Sequence, residues 1–468
     1  MNDSKTFDVV VIGAGPAGTA AALRAADLGA KTALITRDAF GGMAANEGPI
    51  PVRTLAHAAR LLREAKQLPS YGVTVGPPVL DYVQLIARAA DVVSEARAHS
   101  TLLEQIERAG VALFERAGNA RFVDPHRVVS ESGLVLVGER IVICTGGVSR
   151  ALDLPGAELT VTPSAAFTLK AVPKSLVVVG AGATGAQVAS IFNAFGSSTA
   201  LFQGASRIVP TEDAEVSAEV ARAFREDGIA VREGCRIVGF EKTPAGVRTK
   251  LAGGETIEAE IAVCAVGWTA DVARLNLGAA GVRTDARGFV EVDDFRATAA
   301  RHIYAAGDVI GGYMLVPQGV RDGFVAGNNA ASPNAVRVPA NVEPVGSFTD
   351  PEYAKVGLTE EEAREEHDVL IARASYAETT RPIVDGRTRG FCKLVVDRSS
   401  REILGCHMVG ERAVEVAQMA AIAMAGHMKA GEVARIPLSF PTYANVFGRA
   451  ALRAVRLLGD RSVVEPYS

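Results

Sequence analysis

The sequence predicts an α/β protein in which one strand, glycine loop and helix unit occurs twice and a smaller α+β region follows. Three observations predict this fold class. Glycines recur at GxGxxG spacing near residue 13 and again near residue 180, and buried-strand patterns flank both sets. After about residue 338 the pattern changes to short strands joined by turns. A chain of 468 residues is also too long for one compact core, so we expect two or three domains.

The composition excludes several classes of partner. Hydrophobic residues make up 48% of the chain and charged residues 22%, which is typical of a globular protein. A formal net charge of -4 provides no basic surface for nucleic acid and no polybasic face for a membrane. The N-terminus enters a strand without a charged and apolar leader, and no run of about 18 uncharged apolar residues follows. We therefore expect a cytoplasmic protein without a membrane span, acting on a small molecule.

The first glycine loop lies in FDVVVIGAGPAGTAAALRAADLGAKTALIT. A buried strand precedes Gly13, Gly15 and Gly18, and a helix and a second strand follow them. In this arrangement the first glycine permits a tight turn, the second lets a pyrophosphate approach the backbone, and the third lets the helix pack closely. The stretch predicts a Rossmann-like dinucleotide site.

The second loop lies in SLVVVGAGATGAQVASIFNAFGSSTALF and contains Gly180, Gly182 and Gly185. Two such units imply two dinucleotides, and the commonest reason to bind two is hydride transfer between a nicotinamide and a flavin. The strand HIYAAGD ends at Asp308, which is placed to hydrogen-bond a polyol such as the ribityl chain of FAD. A solvated turn aspartate is the alternative.

The five cysteines show no pairing motif and no histidines at metal-ligand spacing, so no metal site is predicted. All but Cys235 lie in apolar, strand-like runs, where a small buried side chain is expected: Cys144, Cys264, Cys392 and Cys406. Cys392 and Cys406 could face each other across a turn near Ser399, and we expect them to be reduced.

The C-terminal region predicts antiparallel strands, with a hairpin turn at residues 397–400. The run ERAVEVAQMAAIAMAGHMKAGEVA predicts one long helix over residues 411–434, with its methionines in packing roles. This region has no glycine-rich loop. We therefore expect a separate domain used for association.

The motifs GAGPAG, GG, ICTGG, GAGATG, AVGW, YAAGD followed by MLVPQG, and SFPTYAN together resemble those of the flavoprotein disulfide reductases. This family includes dihydrolipoamide dehydrogenase, glutathione reductase and mercuric reductase. The resemblance implies an FAD-binding domain in residues 1–150 and 271–338, an NAD(P)-binding domain in residues 151–270 and a dimerisation domain in residues 339–468. It also implies FAD, NADH or NADPH, and a homodimer in which each subunit completes the active site of the other.

One departure from the family removes its redox disulfide. The family pattern resembles GGTCLNVGCIPSK, whereas this chain has GGMAANEGPIPVR. Ala44 and Pro49 occupy the cysteine positions, and Arg53 stands in place of the lysine. Neither alanine nor proline has a thiol that could form a charge-transfer thiolate or a mixed disulfide. Dithiol exchange at this place is therefore excluded.

A second departure removes the proton relay. The family brings a histidine and a glutamate from the partner in a segment like HPTxSE, and here the segment is FPTYAN. Phe440 replaces the histidine and Asn445 the glutamate. Gln187 replaces a glutamate that usually pairs with the lysine near the flavin. Loss of the nucleophiles together with their acid and base is coherent with a rebuilt site.

These comparisons identify candidate residues in two groups. The candidate catalytic residues are Arg53, Gln187, Phe440, Tyr443 and Asn445. The candidate cofactor-binding residues are Gly13, Gly15, Pro16, Ala17, Gly18, Thr36, Arg37, Gly42, Met43, Ala44, Arg53, Ala120, Thr145, Gly146, Gly180, Gly182, Gly185, Gln187, Gln203, Arg207, Gly267, Gly307, Asp308, Leu315 and Val316.

The choice between NADH and NADPH stays open. Gln203 stands where an acid would hold the ribose hydroxyls of NADH. The positions where NADPH-using relatives place arginines match Gly204 and Pro210 here. Arg207 is close enough in sequence to reach a 2′-phosphate, and a solvated surface arginine explains it at least as well.

Three functional classes are compatible with these residues. The first is an NAD(P)H-dependent FAD oxidoreductase that passes two electrons to a small non-disulfide acceptor such as a quinone. In this class Phe440 and Tyr443 would stack on the acceptor, although they could also only fill a vacated cavity. The second is a pyridine nucleotide transhydrogenase. The third is a non-catalytic flavin-binding protein, which the retention of both glycine loops and of Arg53 disfavours.

Overall fold

The computed structural model of the protein describes residues 4–339 and 342–460. Its strands are β1 Lys5–Ile12, β2 Thr32–Ile35, β3 Ala112–Phe114, β4 Ala120–Asp124, β5 Arg127–Ser130, β6 Val135–Ile143, β7 Gly147–Ser149, β8 Ser175–Val179, β9 Ser198–Phe202, β10 Ala230–Arg232, β11 Ile237–Thr243, β12 Gly246–Leu251, β13 Thr256–Ala259, β14 Ile261–Cys264, β15 Trp268–Ala270, β16 Ile303–Ala305, β17 Val345–Ser347, β18 Tyr353–Gly357, β19 Val369–Ser375, β20 Gly390–Asp397 and β21 Ile403–Gly410. Its α-helices are α1 Pro16–Asp27, α2 Gly42–Asn46, α3 Pro49–Gln67, α4 Tyr82–His99, α5 Leu102–Arg108, α6 Pro163–Ala166, α7 Ala183–Ala194, α8 Ala214–Glu226, α9 Val316–Ala331, α10 Glu360–Glu366, α11 Thr380–Val384, α12 Ala413–Ala425, α13 Ala430–Ala434 and α14 Ala444–Leu457.

The chain divides into two compact units. The first unit contains Met1–Thr54, Val83–Arg150 and Gly267–Ala340. The second unit contains Leu55–Tyr82, Ala151–Val266 and Asn341–Ser468. The first glycine loop belongs to the first unit, and the second loop and the FPTYAN segment belong to the second.

The first unit is built on a sheet in the order β3-β2-β1-β6-β5-β4, and β16 also pairs with β6. Strands β1, β2, β3, β6 and β16 run parallel, whereas β4, β5 and β6 form an antiparallel meander. The central strand β1 is fully buried over residues 9–11. Buried parallel strands of this kind place the following loops at one edge of the sheet.

Helices α1 and α9 pack unusually closely against each other. A Cβ built on Gly323 would lie 2.0 Å from the carbonyl oxygen of Ala17, and one built on Gly327 would lie 2.2 Å from that of Ala21. Such short separations leave no room for a side chain, so glycine is required at both positions of α9. This packing fixes the N-terminus of α1, which carries the first glycine loop.

The second unit contains a parallel sheet in the order β10-β9-β8-β14 and an antiparallel sheet of β11, β12 and β13. Strand β8 precedes the second glycine loop, and α7 begins directly after that loop. The strand, loop and helix arrangement of the first unit is therefore present again.

The second unit also contains an antiparallel sheet in the order β17-β18-β21-β20-β19. Helices α12 and α14 contribute to the apolar core on one face of this sheet. Residues that alternate with the core residues along each strand point to the other face, where basic side chains form a row across four strands. The register places Lys355 opposite His407, His407 opposite Lys393, and Lys393 opposite Arg373.

The prediction of one helix over residues 411–434 is wrong, because the structure has α12 and α13 in its place. Residue His427 has a φ of 52°, which a continuing helix does not allow. The amide of Ala430 instead donates to the carbonyl oxygen of Arg401 at 3.0 Å, and Lys429 forms a bridge with Glu402. Contacts with the turn between β20 and β21 therefore interrupt the helix.

Among the described residues, no helix combines the length and apolar character that a bilayer crossing requires.

Candidate active site

The first glycine loop is shaped by steric exclusion. Gly13 has a φ of +106°, and a Cβ at this position would lie 2.1 Å from the carbonyl oxygen of Cys144. A Cβ on Gly18 would lie 1.7 Å from the carbonyl oxygen of Gly13. Gly15 caps α1, and Pro16 and Ala17 form its first turn. The loop can therefore present backbone amides at a helix N-terminus, the arrangement that binds a pyrophosphate.

The segment Gly41–Arg53 begins against this loop. A Cβ on Gly42 would lie 2.7 Å from the Cα of Gly15, so the two backbones are in contact. Gly42, Met43 and Ala44 lie in the short helix α2. Pro49 begins α3, and the exposed side chain of Arg53 follows one turn later.

Three polar groups near the strand ends of the first unit suit a polar ligand. The carboxyl group of Asp308 is largely buried, and desolvation raises its pKa. The hydroxyl oxygen of Thr145 and the side-chain oxygen of Asn46 are buried without hydrogen-bond partners. Burying such atoms costs free energy unless a ligand or water supplies the missing bonds. The hydroxyl-rich ribityl chain and the polar flavin edge of FAD fit this requirement.

Thr36 and Arg37 follow the second strand of the same sheet. Thr36 is buried, and its amide donates to the carbonyl oxygen of Phe114 at 3.0 Å. Arg37 pairs with Asp38 at 2.8 Å and with Asp271 at 2.9 Å. The charge of Arg37 is therefore compensated by two carboxylates.

The other predicted cofactor residues of this unit lie at the ends of strands and helices. Gly146, Gly267 and Gly307 all have positive φ, at 81°, 112° and 80°, as sharp turns after buried strands require. The remaining members are Ala120 at the start of β4 and Leu315 and Val316 at the start of α9.

The second glycine loop repeats the steric pattern of the first. Gly180 has a φ of +96°, and its Cβ would lie 2.4 Å from the carbonyl oxygen of Ala265. A Cβ on Gly185 would lie 1.9 Å from the carbonyl oxygen of Gly180. Gly182 caps α7. The side-chain amide of Gln187 donates to the carbonyl oxygen of Ala183 at 3.3 Å, so it lies along its own helix.

Gln203 and Arg207 lie in the loop that follows β9. The side-chain oxygen of Gln203 accepts a hydrogen bond from the amide of Gly204 at 2.9 Å. Arg207 contacts the carboxylate of Glu361 at 3.4 Å. Arg207 therefore forms an ion pair at the surface, since its side chain is 31% exposed and that of Glu361 is 67% exposed.

The C-terminal segment gives its three predicted residues different environments. Phe440 is 47% exposed. The hydroxyl group of Tyr443 donates to Asp385 at 2.8 Å, and its ring contacts that of Tyr376 at 6.1 Å between centroids. The side-chain oxygen of Asn445 accepts from the amide of Thr442 at 2.8 Å, so Asn445 stabilises the turn before α14.

An open cavity of about 620 Å³ lies beside this segment in the second unit. Its walls combine tyrosines with charged side chains from α3, α11 and the 411–412 turn. The residues lining it are Arg60, Glu64, Gln67, Leu68, Tyr71, Arg381, Val384, Asp385, Arg387, Glu411, Arg412, Thr442 and Tyr443. Burial and the hydrogen bond to Asp385 raise the pKa of Tyr443, so its hydroxyl group stays protonated and can donate throughout the physiological range.

We expect Tyr443→Phe to lower the unfolding temperature by about 2 °C, because loss of one hydrogen bond to a charged group costs about 1.5 to 3 kcal/mol. Differential scanning calorimetry of the flavin-loaded protein measures the shift. Tyr71→Phe is the matched control, since its hydroxyl group bonds a backbone carbonyl at an exposed position. A Tyr443→Phe protein as stable as the control would show that Asp385 does not hold this ring.

None of the five cysteines lies in the segment Gly41–Arg53. Cys144 is the only cysteine of the first unit's sequence, and it is buried under the glycine loop, where desolvation raises the pKa of its thiol. The sulfur atoms of Cys392 and Cys406 are 3.8 Å apart in reduced form, which confirms that they face each other. Within residues 4–339 and 342–460, no group of three potential metal ligands occurs.

Sequence reasoning missed Asn46, Asp385 and Glu361. Asn46 lies inside the GGMAANEG stretch, and its polar side chain among small residues was a usable signal. Asp385 and Glu361 gave none, because their partners are 58 and 154 residues away in the sequence.

Comparison with known proteins identifies relatives that cover nearly all of the chain. Residues 7–323 match the family described as pyridine nucleotide-disulphide oxidoreductase. Residues 344–451 match the dimerisation domain of the same family. These two matches confirm the predicted mixed α/β fold class with a C-terminal dimerisation domain.

Individual relatives agree with this assignment. The chain is 33% identical over 461 residues to dihydrolipoyl dehydrogenase of Zymomonas mobilis, covering 96% of this chain and 98% of the relative. It is 32% identical over 424 residues to mercuric reductase of Lysinibacillus sphaericus, covering 89% of this chain and 77% of the relative. Among solved structures, the Cu(II) complex of the HOCl-induced flavoprotein disulfide reductase RclA from Escherichia coli aligns with a TM-score of 0.85 and 25% identity, covering 96% of this chain and 99% of that one.

Proposed function

Because the chain belongs to the pyridine nucleotide-disulphide oxidoreductase family, whose members use FAD and NAD(P)H, we propose that it transfers electrons from NAD(P)H to a small non-disulfide acceptor. A quinone-like compound is the acceptor class that we favour. The balanced reaction is NAD(P)H plus a proton plus quinone giving NAD(P)⁺ plus hydroquinone. The family's use of FAD supplies the carrier, because a flavin can take a hydride from the nicotinamide and release two electrons to the acceptor.

The observation that carries this proposal is the absence of a usable thiol in the segment Gly41–Arg53. Ala44 and Pro49 cannot form a mixed disulfide. Cys144 is the nearest thiol in the sequence, but it is buried beneath the glycine loop and its raised pKa disfavours the thiolate. The relatives named above include disulfide reductases, so the non-disulfide acceptor is the specific difference that we propose for this chain.

The chain's own residues would bind and orient the reactants. The first glycine loop would hold the FAD pyrophosphate, Asp308 would accept a hydrogen bond from a ribityl hydroxyl, and Thr145 and Asn46 would bond the flavin. Arg53 would supply a permanent positive charge that stabilises negative charge developing nearby. The second glycine loop would hold the nicotinamide dinucleotide.

The dimerisation domain supports a homodimer, and we propose that the FPTYAN segment of one subunit completes the site of the other. The exposed ring of Phe440 offers a flat apolar surface where a family member has a proton-relay histidine. The phenyl ring of Phe440 has no group that takes up or releases a proton, so the acceptor protons would come from solvent.

We expect the flavin-loaded protein to reduce quinones and to lack dihydrolipoamide, glutathione and mercuric reductase turnover. Anaerobic reduction with NADH or NADPH, followed by mixing with quinones, dyes, metal ions and disulfides, measures both activities. The reduced protein should lack the long-wavelength absorption of a thiolate next to a flavin. Disulfide turnover, or that absorption band, would contradict the proposal; a flavin that neither nicotinamide reduces would favour a non-catalytic flavin-binding protein.

A further inference from the structure

In a dinucleotide-binding fold, the choice between NADH and NADPH is made at the end of the second strand, which in the second unit is β9. In a dinucleotide-binding fold, the residue about 20 positions after the glycine loop reads the ribose 2′ position, with an acid for NADH or a nearby arginine for NADPH. Here that residue is Gln203, which carries no charge and whose side-chain oxygen bonds the amide of Gly204. The selection must therefore come from the charged groups around it.

Arg207 is the cation closest in sequence to this position, and its guanidinium is turned toward a carboxylate of the C-terminal region. Its two terminal nitrogens lie 3.4 and 3.5 Å from the two carboxylate oxygens of Glu361. One of these nitrogens also donates to the carbonyl oxygens of Pro210 and Glu212, at 3.5 and 3.3 Å. Both terminal nitrogens of Arg207 therefore face the carboxylate of Glu361 or backbone carbonyl oxygens.

A buried lysine connects the two chain segments that carry Arg207 and Glu361. Lys393 is only 2% exposed and contacts Glu360 at 2.6 Å and Asp213 at 3.0 Å. Glu360 is the neighbour of Glu361 on α10, and Asp213 belongs to the segment that follows Arg207. Lys393 therefore fixes α10 against the 203–213 segment, so the pair between Arg207 and Glu361 requires little further ordering of the backbone.

A second carboxylate is attached to the same loop. The segment after β10 runs beside the loop, since the amide of Cys235 donates to the carbonyl oxygen of Gln203 at 2.9 Å. Glu233 in that segment accepts a hydrogen bond from the amide of Ile208 at 3.0 Å and pairs with Arg225 at 2.6 Å. This arrangement adds no uncompensated positive charge beside the ribose position.

We propose that Glu361 makes the pyridine nucleotide site selective for NADH, because it engages Arg207 and so withholds the cation that a 2′-phosphate would require. A 2′-phosphate carries about 1.5 to 2 negative charges and needs charge-assisted hydrogen bonds to offset its desolvation. Glu361 acts as a specificity-determining residue although it lies in the dimerisation domain. This inference rests on the proposed function, because it assumes that the second glycine loop holds the nicotinamide dinucleotide.

The test compares the wild-type protein with Glu361→Gln, Arg207→Gln and the double variant. Glu365→Gln, an exposed position on the same helix, is the matched control. Stopped-flow flavin reduction gives the ratio of second-order rate constants for NADH and NADPH. Isothermal titration with 5′-AMP and adenosine 2′,5′-bisphosphate measures how much the 2′-phosphate changes binding affinity, without any flavin chemistry.

We expect the wild-type protein to prefer NADH at least tenfold. Glu361→Gln should shift the ratio about fivefold toward NADPH, as expected for loss of an ion pair worth about 1 kcal/mol. The double variant should lose this gain, because the freed arginine is then absent, and Glu365→Gln should keep the wild-type ratio. A wild-type preference for NADPH, or an unchanged ratio in Glu361→Gln, would overturn the inference. A flavin that neither nucleotide reduces would contradict the proposed function instead, and the two adenosine probes would still decide the selectivity.

Discussion

Replacement of Asp308 by alanine should leave the purified protein with much less than one FAD per chain. The buried carboxylate is the acceptor that we assign to a ribityl hydroxyl, and a hydrogen bond to a charged group contributes about 1.5 to 3 kcal/mol. Its loss should weaken FAD binding by roughly ten- to a hundredfold. The ratio of flavin to protein absorbance after purification, and FAD titration of the stripped protein, measure the effect.

Asp308 strengthens FAD binding, but its ionised form should lower the stability of the folded FAD-free protein. Burial raises the pKa of Asp308 above its ordinary value, so the folded protein binds this proton more tightly than the unfolded chain does. Stability is then lost as the pH rises through the interval between the ordinary and the raised pKa. Asp308→Asn, which cannot ionise, should flatten this part of the pH dependence in FAD-free protein.

The two measurements together separate a ligand-binding role from a structural one. A residue kept for ligand binding can weaken the empty protein while stabilising the complex. Asp91→Ala, at an exposed position on α4, is the control and should retain full FAD content. Wild-type FAD content in Asp308→Ala would show that the FAD lies elsewhere.

The parts of the fold that depend on short sequence patterns were predictable. Gly13 and Gly18 have a spacing that is typical of a strand, turn and helix unit, and both would clash with nearby backbone if they carried a Cβ. Fold class could be predicted for the same reason. The residues that form such a unit lie within about 30 positions of one another, so the pattern can be recognised in the local sequence.

Features set by distant contacts could not be predicted. The residues of α12 and α13 look like one helix because most of them favour helix, and the interruption is accompanied by backbone pairing with residues 401 and 402. Arg207 is a surface arginine in the sequence, and its partner Glu361 lies 154 positions later. In both cases tertiary contacts decide between local alternatives that the sequence leaves open.

Replacement of Arg53 by alanine should slow reoxidation of the reduced flavin by quinone much more than its reduction by NAD(P)H. Arg53 keeps its positive charge at every relevant pH and lies one turn into α3, in the segment that lacks thiols. A positioned group that stabilises developing negative charge contributes up to about a hundred- to a thousandfold to such a step. Stopped-flow measurement of the two half-reactions separates the effects.

Arg53→Lys is the matched variant, because it keeps the charge but loses the planar donor group. If the positive charge at this position is what accelerates reoxidation, Arg53→Lys should recover most of the wild-type reoxidation rate.

Phe440→Ala should raise the apparent Michaelis constant for the quinone with little change in flavin reduction, because its exposed ring would stack on the acceptor. Should Arg53→Ala and Phe440→Ala both reoxidise at the wild-type rate across a series of quinones, the aromatic residues only fill space, and the acceptor must react at the nicotinamide side of the flavin.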